Sequence, residues 1–242
     1  MNEEIPLVGG DLNVVVRVAD TVRRPQGPEA VRALLEWYEN VGFDGAPRFL
    51  GIDEQGREIL SFVEGEPAFA PVPFSDEIVT AIGRLLRAAH DAQDGFAPPV
   101  ADWDDHVPGP GAGEVIGHCD LFWTNVVFRS GLPAALIDWE LAAPTSRSLD
   151  LALAATYWAG VRIDRQLLEW GLPLERRGEQ LRLLCDGYGL EAAARTVLLD
   201  ELIAQRRGRL ERGDWRIGSP TVIVENLEWL EEHRDELATF LA

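Results

Sequence analysis

Cysteine is nearly absent from this 242-residue chain: only Cys119 and Cys185 occur, and they show neither metal-ligand nor disulfide spacing. That excludes a disulfide-stapled scaffold and a thiolate metal centre, and it points to a reducing cytoplasm. Positive charge is scarce too, with 22 Lys and Arg against 41 Asp and Glu and a net charge of −19. A nucleic acid or an anionic membrane would repel such a chain, so neither is expected as a partner. The acidity suits a cationic small molecule such as a polyamine or an aminosugar, and it equally serves solubility. Long apolar runs are missing. The longest, Leu151 to Val161, is too short to span a bilayer. The start Met1-Asn2-Glu3-Glu4 lacks the basic-then-apolar layout of a signal peptide. No internal repeat or low-complexity tract appears. What remains is the composition of an ordinary globular protein, 46% hydrophobic and 26% charged.

The first sixty residues read as strands with one helix. Asn13 to Val18 and Thr21 to Arg23 are β-rich runs broken by Ala19-Asp20. Pro28 opens a helix in which Val31, Leu34, Leu35 and Tyr38 share a face, with Gly42 beyond its end. Arg48 to Asp53 and Arg57 to Phe62 then flank a second hairpin turn. The Pro-rich stretch Pro67 to Pro73 marks a boundary, giving a first lobe over 1–66 and a second over 67–242. Ser75 caps a helix carrying Ile78, Val79, Ile82, Leu85, Leu86 and Ala89. Short strands are expected at Val115-Ile116, Val126 to Phe128 and Ala134 to Ile137. From Leu149 onward the pattern is helical, with breaks near Gly171, Gly187 to Gly189 and Gly218. The expected fold is α+β and bilobal, a β-rich lobe joined to a mainly helical one across a cleft.

Chemistry concentrates in His118-Cys119-Asp120-Leu121-Phe122-Trp123-Thr124-Asn125, which fits H-x-D-L-x-x-x-N. Phosphoryl transfer to a hydroxyl needs a carboxylate to accept the proton and a nearby oxygen ligand for magnesium. A loop that places Asp120 and Asn125 five residues apart can aim both at one spot. Thirteen residues after Asn125, the apolar run Ala134 to Ile137 ends abruptly in Asp138. A carboxylate at a strand's end can chelate a cation that bridges nucleotide phosphates.

With these residues in place, "GHCDLFWTNVVF…ALIDWE…LDLALA" resembles the signature of the aminoglycoside phosphotransferase family, which shares the bilobal protein-kinase-like fold. "ILSFVEGEP" (Ile59 to Pro67) is similar to that family's last first-lobe strand and inter-lobe hinge, and Gly9 to Pro25 to its nucleotide-covering hairpin. The resemblance spans roughly residues 7 to 160. It implies a kinase that moves the γ-phosphoryl of ATP or GTP to a hydroxyl of a small, cationic acceptor such as an aminoglycoside. Asp120 is then the base, Asn125 and Asp138 hold Mg2+, His118 buttresses the loop and Asp150 anchors it. Backbone at Ser61, Phe62 and Val63 lies beside the purine base.

The chain departs from the family in three places. The usual third-strand lysine is replaced by Arg23 or Arg24, and Arg23 is the expected phosphate ligand because Arg24 abuts Pro25. Glu29 is the one acidic candidate near the helix start to pair with it. Gly9-Gly10 falls short of the full glycine-rich pattern. These gaps keep open a weak or inactive kinase-like adaptor, and a metal-dependent phosphohydrolase is a remoter alternative. Asp102, Asp104, Asp105 and His106 read as a solvated acidic loop, and Trp123 and Trp139 as core. Cys119 reads as inward-packed. Arg206, Arg207, Arg209 and Arg212 read as a salt-laced helix surface.

Overall fold

Five short strands at the N-terminal end pair antiparallel in the order β1-β2-β3-β5-β4. They are β1 (Ile5–Pro6), β2 (Val16–Val18), β3 (Thr21–Arg24), β4 (Phe49–Ile52) and β5 (Glu58–Ser61). The computed structural model describes residues 3–7, 15–68, 75–103, 113–213 and 219–242. Expectations at Gly9-Gly10, Asn13-Val14, 69–73, 104–106 and Gly218 therefore lie outside the described residues.

Between β3 and β4 runs α1 (Glu29–Val41). Its apolar stripe Val31, Leu34, Leu35 and Tyr38 is buried as the spacing predicts. Pro28 precedes the first turn, and Gly42 ends the helix with φ 76°, a left-handed conformation that glycine adopts without a Cβ penalty. Asp102 caps the helix from outside the sheet: its carboxylate accepts the N–H groups of Glu29 and Ala30, both at 2.8 Å. Of the acidic loop expected around it, this residue has a structural task.

Next in the chain, β6 (Glu66–Pro67) pairs with β8 (Val126–Arg129), which also pairs with β9 (Leu132–Leu136). Helix α2 (Asp76–Asp91) is capped by the Ser75 hydroxyl, which accepts the Ile78 N–H. Strand β7 (Val115–Gly117) pairs with β10 (Ala143–Thr145). The rest is helical: α3 (Arg147–Trp158), α4 (Asp164–Glu169), α5 (Arg177–Tyr188), α6 (Ala192–Arg212) and α7 (Pro220–Ala238). Almost every residue of α3 is buried, as its all-round apolar sequence demands of a central helix.

One helix boundary meets the sequence expectation and one does not. The break expected at 187–189 is found, α5 ending at Tyr188 with Gly189 at φ 72°, and Gly187 has a further task. It lies inside α5, where a Cβ would collide with the Thr80 carbonyl of α2, while a Cβ at Gly83 of α2 would strike the Leu184 carbonyl. Glycine is there so that two helices can touch backbone to backbone. Conversely, a break at 159–163 separates α3 from α4, where Val161 N–H folds back to the Ala155 carbonyl.

The two lobes are stitched together behind the cleft. The Leu136 N–H donates to the Gly45 carbonyl at 2.8 Å. The Tyr38 hydroxyl donates to the Ala89 carbonyl and accepts from Gln93, whose amide also bonds both the N–H and the C=O of Ile116. Burial drives the Tyr38 phenol far up, so this network is uncharged at neutral pH.

Candidate functional site

The loop from His118 to Asn125 leaves β7 and ends in a 3-10 turn over Trp123–Asn125. Asp150, fully buried on α3, holds its start. One carboxylate oxygen accepts the Cys119 N–H at 2.8 Å, and the other accepts the His118 N–H and contacts His90 Nε2, both at 3.0 Å. Burial alone would raise the Asp150 pKa, but the His90 bond and the two amides pull it below the usual carboxylate range. Cys119 adopts φ 65°, a conformation that costs a non-glycine residue of order 1–3 kcal/mol. The Asp150 carboxylate holds that backbone in place. Gly117, the last residue of β7, leaves room for that carboxylate, because a Cβ there would lie 2.8 Å from Asp150 Cγ.

The anchoring role expected of Asp150 is what the structure shows, and His90 is its unforeseen partner. The His90 ring bridges Asp150 to the Tyr188 hydroxyl, 2.7 Å from Nδ1. The signal for it was present: His90 lies four residues after Leu86 and eight after Ile82 on the buried face of α2. His118 is completely buried behind the loop, with Nε2 2.9 Å from the Ile137 carbonyl and its ring 4.7 Å from that of Trp139. A carbonyl can only accept, so Nε2 carries the proton. Burial lowers the His118 pKa and keeps the ring neutral.

Asp120 and Asn125 come together as their spacing predicts. The Asn125 amide donates to the Asp120 carbonyl at 2.9 Å and to its carboxylate at 3.2 Å. The Asn125 carbonyl in turn accepts the Ile137 N–H at 2.8 Å, which ties the loop to the segment that carries Asp138. Strand β9 ends at Leu136, one residue earlier than expected, and Asp138 takes φ 63° and ψ 61° before a 3-10 turn. Its side chain is exposed. The Asp120 pKa is raised to about 6, first by burial and then by the negative charge of Asp138, with the Asn125 amide opposing both. Two carboxylates and an amide thus crowd one spot, an all-oxygen donor set suited to a hard divalent cation. Among the described residues no three His, Cys, Asp or Glu side chains form a metal cage on their own. A cation here would draw its remaining ligands from water and phosphate, as Mg2+ commonly does.

The arginine expectation is reversed. Arg23 turns away from the cleft: its Nη1 donates to the Thr21 hydroxyl at 2.6 Å and its Nε lies 3.6 Å from Asp53. Arg24 is the one buried at the cleft, donating to Asp138 Oδ1 at 3.1 Å, with Nε 3.3 Å from Glu58 Oε2. The reason is strand parity. Val22 packs toward the core, so Arg24, two residues on, shares its face. Glu58 sits directly across the ladder from Arg24, and a glutamate of a neighbouring strand stands where Glu29 of α1 was expected. All 22 basic residues of the chain are arginine, so no lysine is available for this place.

At the hinge, the Ser61 hydroxyl accepts the Arg48 N–H, and the Phe62 N–H is committed to the Asp20 carbonyl. The Val63 peptide makes no backbone hydrogen bond among the described residues. Trp139 and Trp123 are core, as expected: each indole N–H bonds a backbone carbonyl, of Leu136 and Tyr157 respectively. Cys119 and Cys185 are buried and form no disulfide.

A β-rich lobe over a helical one, with an H-x-D loop and a strand-end Asp facing a buried arginine, defines a protein-kinase-like phosphotransferase. Residues 100–184 match the model of the phosphotransferase enzyme family. The chain is 43% identical over 212 residues to the trifolitoxin immunity protein of Rhizobium leguminosarum bv. trifolii, which covers 84% of this chain and 80% of that protein. In fold it resembles an amicoumacin kinase solved with AMP-PNP and Ca2+, at TM-score 0.67 and 12% identity, covering 96% of this chain and 88% of the other. A choline/ethanolamine kinase family protein from Mesorhizobium loti matches at TM-score 0.60 and 16% identity, covering 100% of this chain and 92% of the other. The chain belongs to the phosphotransferase enzyme family.

Proposed function

We propose that the protein transfers the γ-phosphoryl group of ATP or GTP to a hydroxyl of a small molecule. The observation that carries this reading is the convergence of Asp120, Asn125, Asp138 and Arg24 on one cleft. Asp120 accepts or orients the hydroxyl proton; a pKa of about 6 leaves it ionised at neutral pH yet basic enough to share that proton. Asn125 and Asp138 would hold Mg2+, whose chemistry is to bridge the phosphates and neutralise developing charge. Arg24 lies close enough to Asp138 to grip the same phosphates, its fork held by Glu58. Val63, which follows Ser61 and Phe62, would offer the purine edge a backbone donor and an acceptor. The lobe boundary near 66–67 and a cytoplasmic location complete the reading; two buried cysteines that form no disulfide support the latter.

The 43% identical relative is named for immunity to a toxin, and phosphorylating a toxic molecule's hydroxyl is one way a phosphotransferase confers it. A hydroxyl-bearing antibiotic, an aminoglycoside among them, is therefore a candidate acceptor. An inactive adaptor is disfavoured by the intact carboxylate set and by Arg24. The test is magnesium-dependent ATP turnover followed by 31P NMR, with and without candidate acceptors. Turnover that disappears in Asp120→Asn while Mg·ATP still binds supports the reading. Binding without turnover under every condition favours the adaptor, and phosphate-ester hydrolysis without nucleotide favours the hydrolase.

A further inference from the structure

At the cleft a single guanidinium meets three carboxylates. Arg24 donates from Nη1 to Asp138 Oδ1 at 3.1 Å, its Nε lies 3.3 Å from Glu58 Oε2, and its Nη2 lies 4.0 Å from Glu140 Oε2. The two closer contacts differ in their surroundings. Glu58 is buried, and its other oxygen accepts the Gly27 N–H at 3.0 Å and a bond from Arg32 Nη1 at 3.3 Å. The Asp138 side chain is 47% exposed. Gly27 also leaves room for the guanidinium, since a Cβ there would lie 3.0 Å from Arg24 Nη2. The Nε end of Arg24 is thus pinned inside the protein, and its Nη1 end covers a carboxylate that solvent can reach.

Asp138 is held in this contact from its own side as well. The residue before it has both backbone groups committed: the Ile137 N–H donates to the Asn125 carbonyl at 2.8 Å, and the Ile137 carbonyl accepts from His118 Nε2 at 2.9 Å. Asp138 itself takes φ 63°, a conformation that persists in a non-glycine residue only where its surroundings impose it. An oxygen that Asp138 would offer to a divalent cation therefore already carries a hydrogen bond from a positive charge. Arg24 opposes a free cation twice, by holding that bond and by like-charge repulsion. It does not oppose a cation that arrives with nucleotide phosphates in the same way. The phosphate oxygens give the Nη end of its fork new acceptors while Nε keeps Glu58.

We propose that Arg24 is a specificity-determining residue for the metal: it withholds Asp138 from free divalent cations and yields it to a cation that arrives bound to nucleotide phosphates. This rests on the phosphotransfer reading of the cleft and goes beyond it, because a phosphate grip alone gives Arg24 no influence on metal when nucleotide is absent. The two roles have opposite signs. Without nucleotide Arg24 weakens metal binding, and with nucleotide it strengthens binding of the complex. A side chain that only supported the fold would, on removal, weaken both.

The experiment titrates the full chain with Mn2+ alone, read by water-proton relaxation, and with preformed Mn·AMP-PNP, read by calorimetry. Wild type is compared with Arg24→Gln, Asp138→Asn, the double variant and Arg23→Gln. Without nucleotide, the Mn2+ dissociation constant should fall about fivefold or more in Arg24→Gln and move less than about twofold in Arg23→Gln. That gain should disappear in the double variant. For Mn·AMP-PNP the dissociation constant should instead rise about tenfold in Arg24→Gln. Should Arg24→Gln not fold, Asp138→Asn decides. In the wild-type background it should change the affinity for Mn2+ alone less than about twofold, because Asp138 is already taken, yet weaken Mn·AMP-PNP binding about tenfold or more. Equal Mn2+ affinity in wild type and Arg24→Gln, a gain that survives in the double variant, or a loss of free Mn2+ binding in Asp138→Asn overturns the proposal. Failure of Mn·AMP-PNP to bind any of these proteins contradicts the phosphotransfer reading, while the nucleotide-free arm still decides whether Arg24 withholds Asp138.

Discussion

Asp150 and Arg162 are both buried charges beside the same catalytic loop, yet they are held in opposite ways. Asp150 accepts two backbone N–H groups and contacts His90, so its charge is matched at every side. Arg162 rests on the rings of Tyr157 and Trp170, hydrogen-bonded to the Tyr157 side chain but with its Nε unbonded and no carboxylate beside it among the described residues. A saturated charge fixes geometry, because any movement breaks bonds that water cannot replace. An unsaturated one is a standing demand for a partner. The loop is thus clamped from behind by Asp150.

The comparison predicts a division between loss of rate and loss of fold. The largest effect belongs to Asp120→Asn, which should lower kcat about 10²- to 10⁴-fold with little change in melting temperature or Mg·ATP affinity. Asp150→Ala should do the reverse, costing about 3–5 kcal/mol in urea unfolding because His90 and two amides lose their acceptor. If Asp150→Ala were as stable as wild type, the clamp would be an incidental contact. Gly187→Ala should cost about 1–3 kcal/mol by forcing α5 off α2, with the catalytic loop untouched.

Smaller effects separate the two strand arginines. Arg24→Gln should weaken Mg·ATP binding by about tenfold, the worth of one charge-assisted phosphate contact. Arg23→Gln, which loses only Thr21 and Asp53, should change it less than about twofold. The gentlest probe is pH. Asp120 must be ionised to accept a proton, so kcat/KM should fall as pH drops through about 6. In Asp138→Asn the repulsion that helps raise this pKa is gone, and a carboxyl NMR titration of Asp120 should move toward acid.

The same contrast explains what the sequence disclosed. Asp120 and Asn125 were legible because five residues of one loop fix their separation, and Asp138 because it ends an apolar strand. Helix α1 was legible to its caps, since its stripe and Gly42 are local signals. The choice between Arg23 and Arg24 needed strand parity counted from Val22, a local signal that adjacency to Pro25 obscured. The helix end at 187–189 was legible from its glycines, but the helix contact that Gly187 also permits was not, because both call for glycine. The group of Tyr157, Arg162, Trp170 and Arg206 was illegible. Its members come from three separate elements and a break, and only the packing of α6 on α3 brings Arg206 to Tyr157. Net charge is silent for the same reason: a sum over the chain says nothing about the sign of the field at one site.

The most direct test of the phosphotransfer site is the melting temperature of wild type and Asp138→Ala with AMP-PNP, with and without Mg2+. For a chain of this size, a hundredfold excess over Kd should raise the wild-type midpoint by about 5 to 10 °C. The rise should require magnesium and should largely vanish in Asp138→Ala. A rise of equal size in both proteins, or no rise with any nucleotide at millimolar concentration, would contradict the assignment of this cleft to phosphoryl transfer.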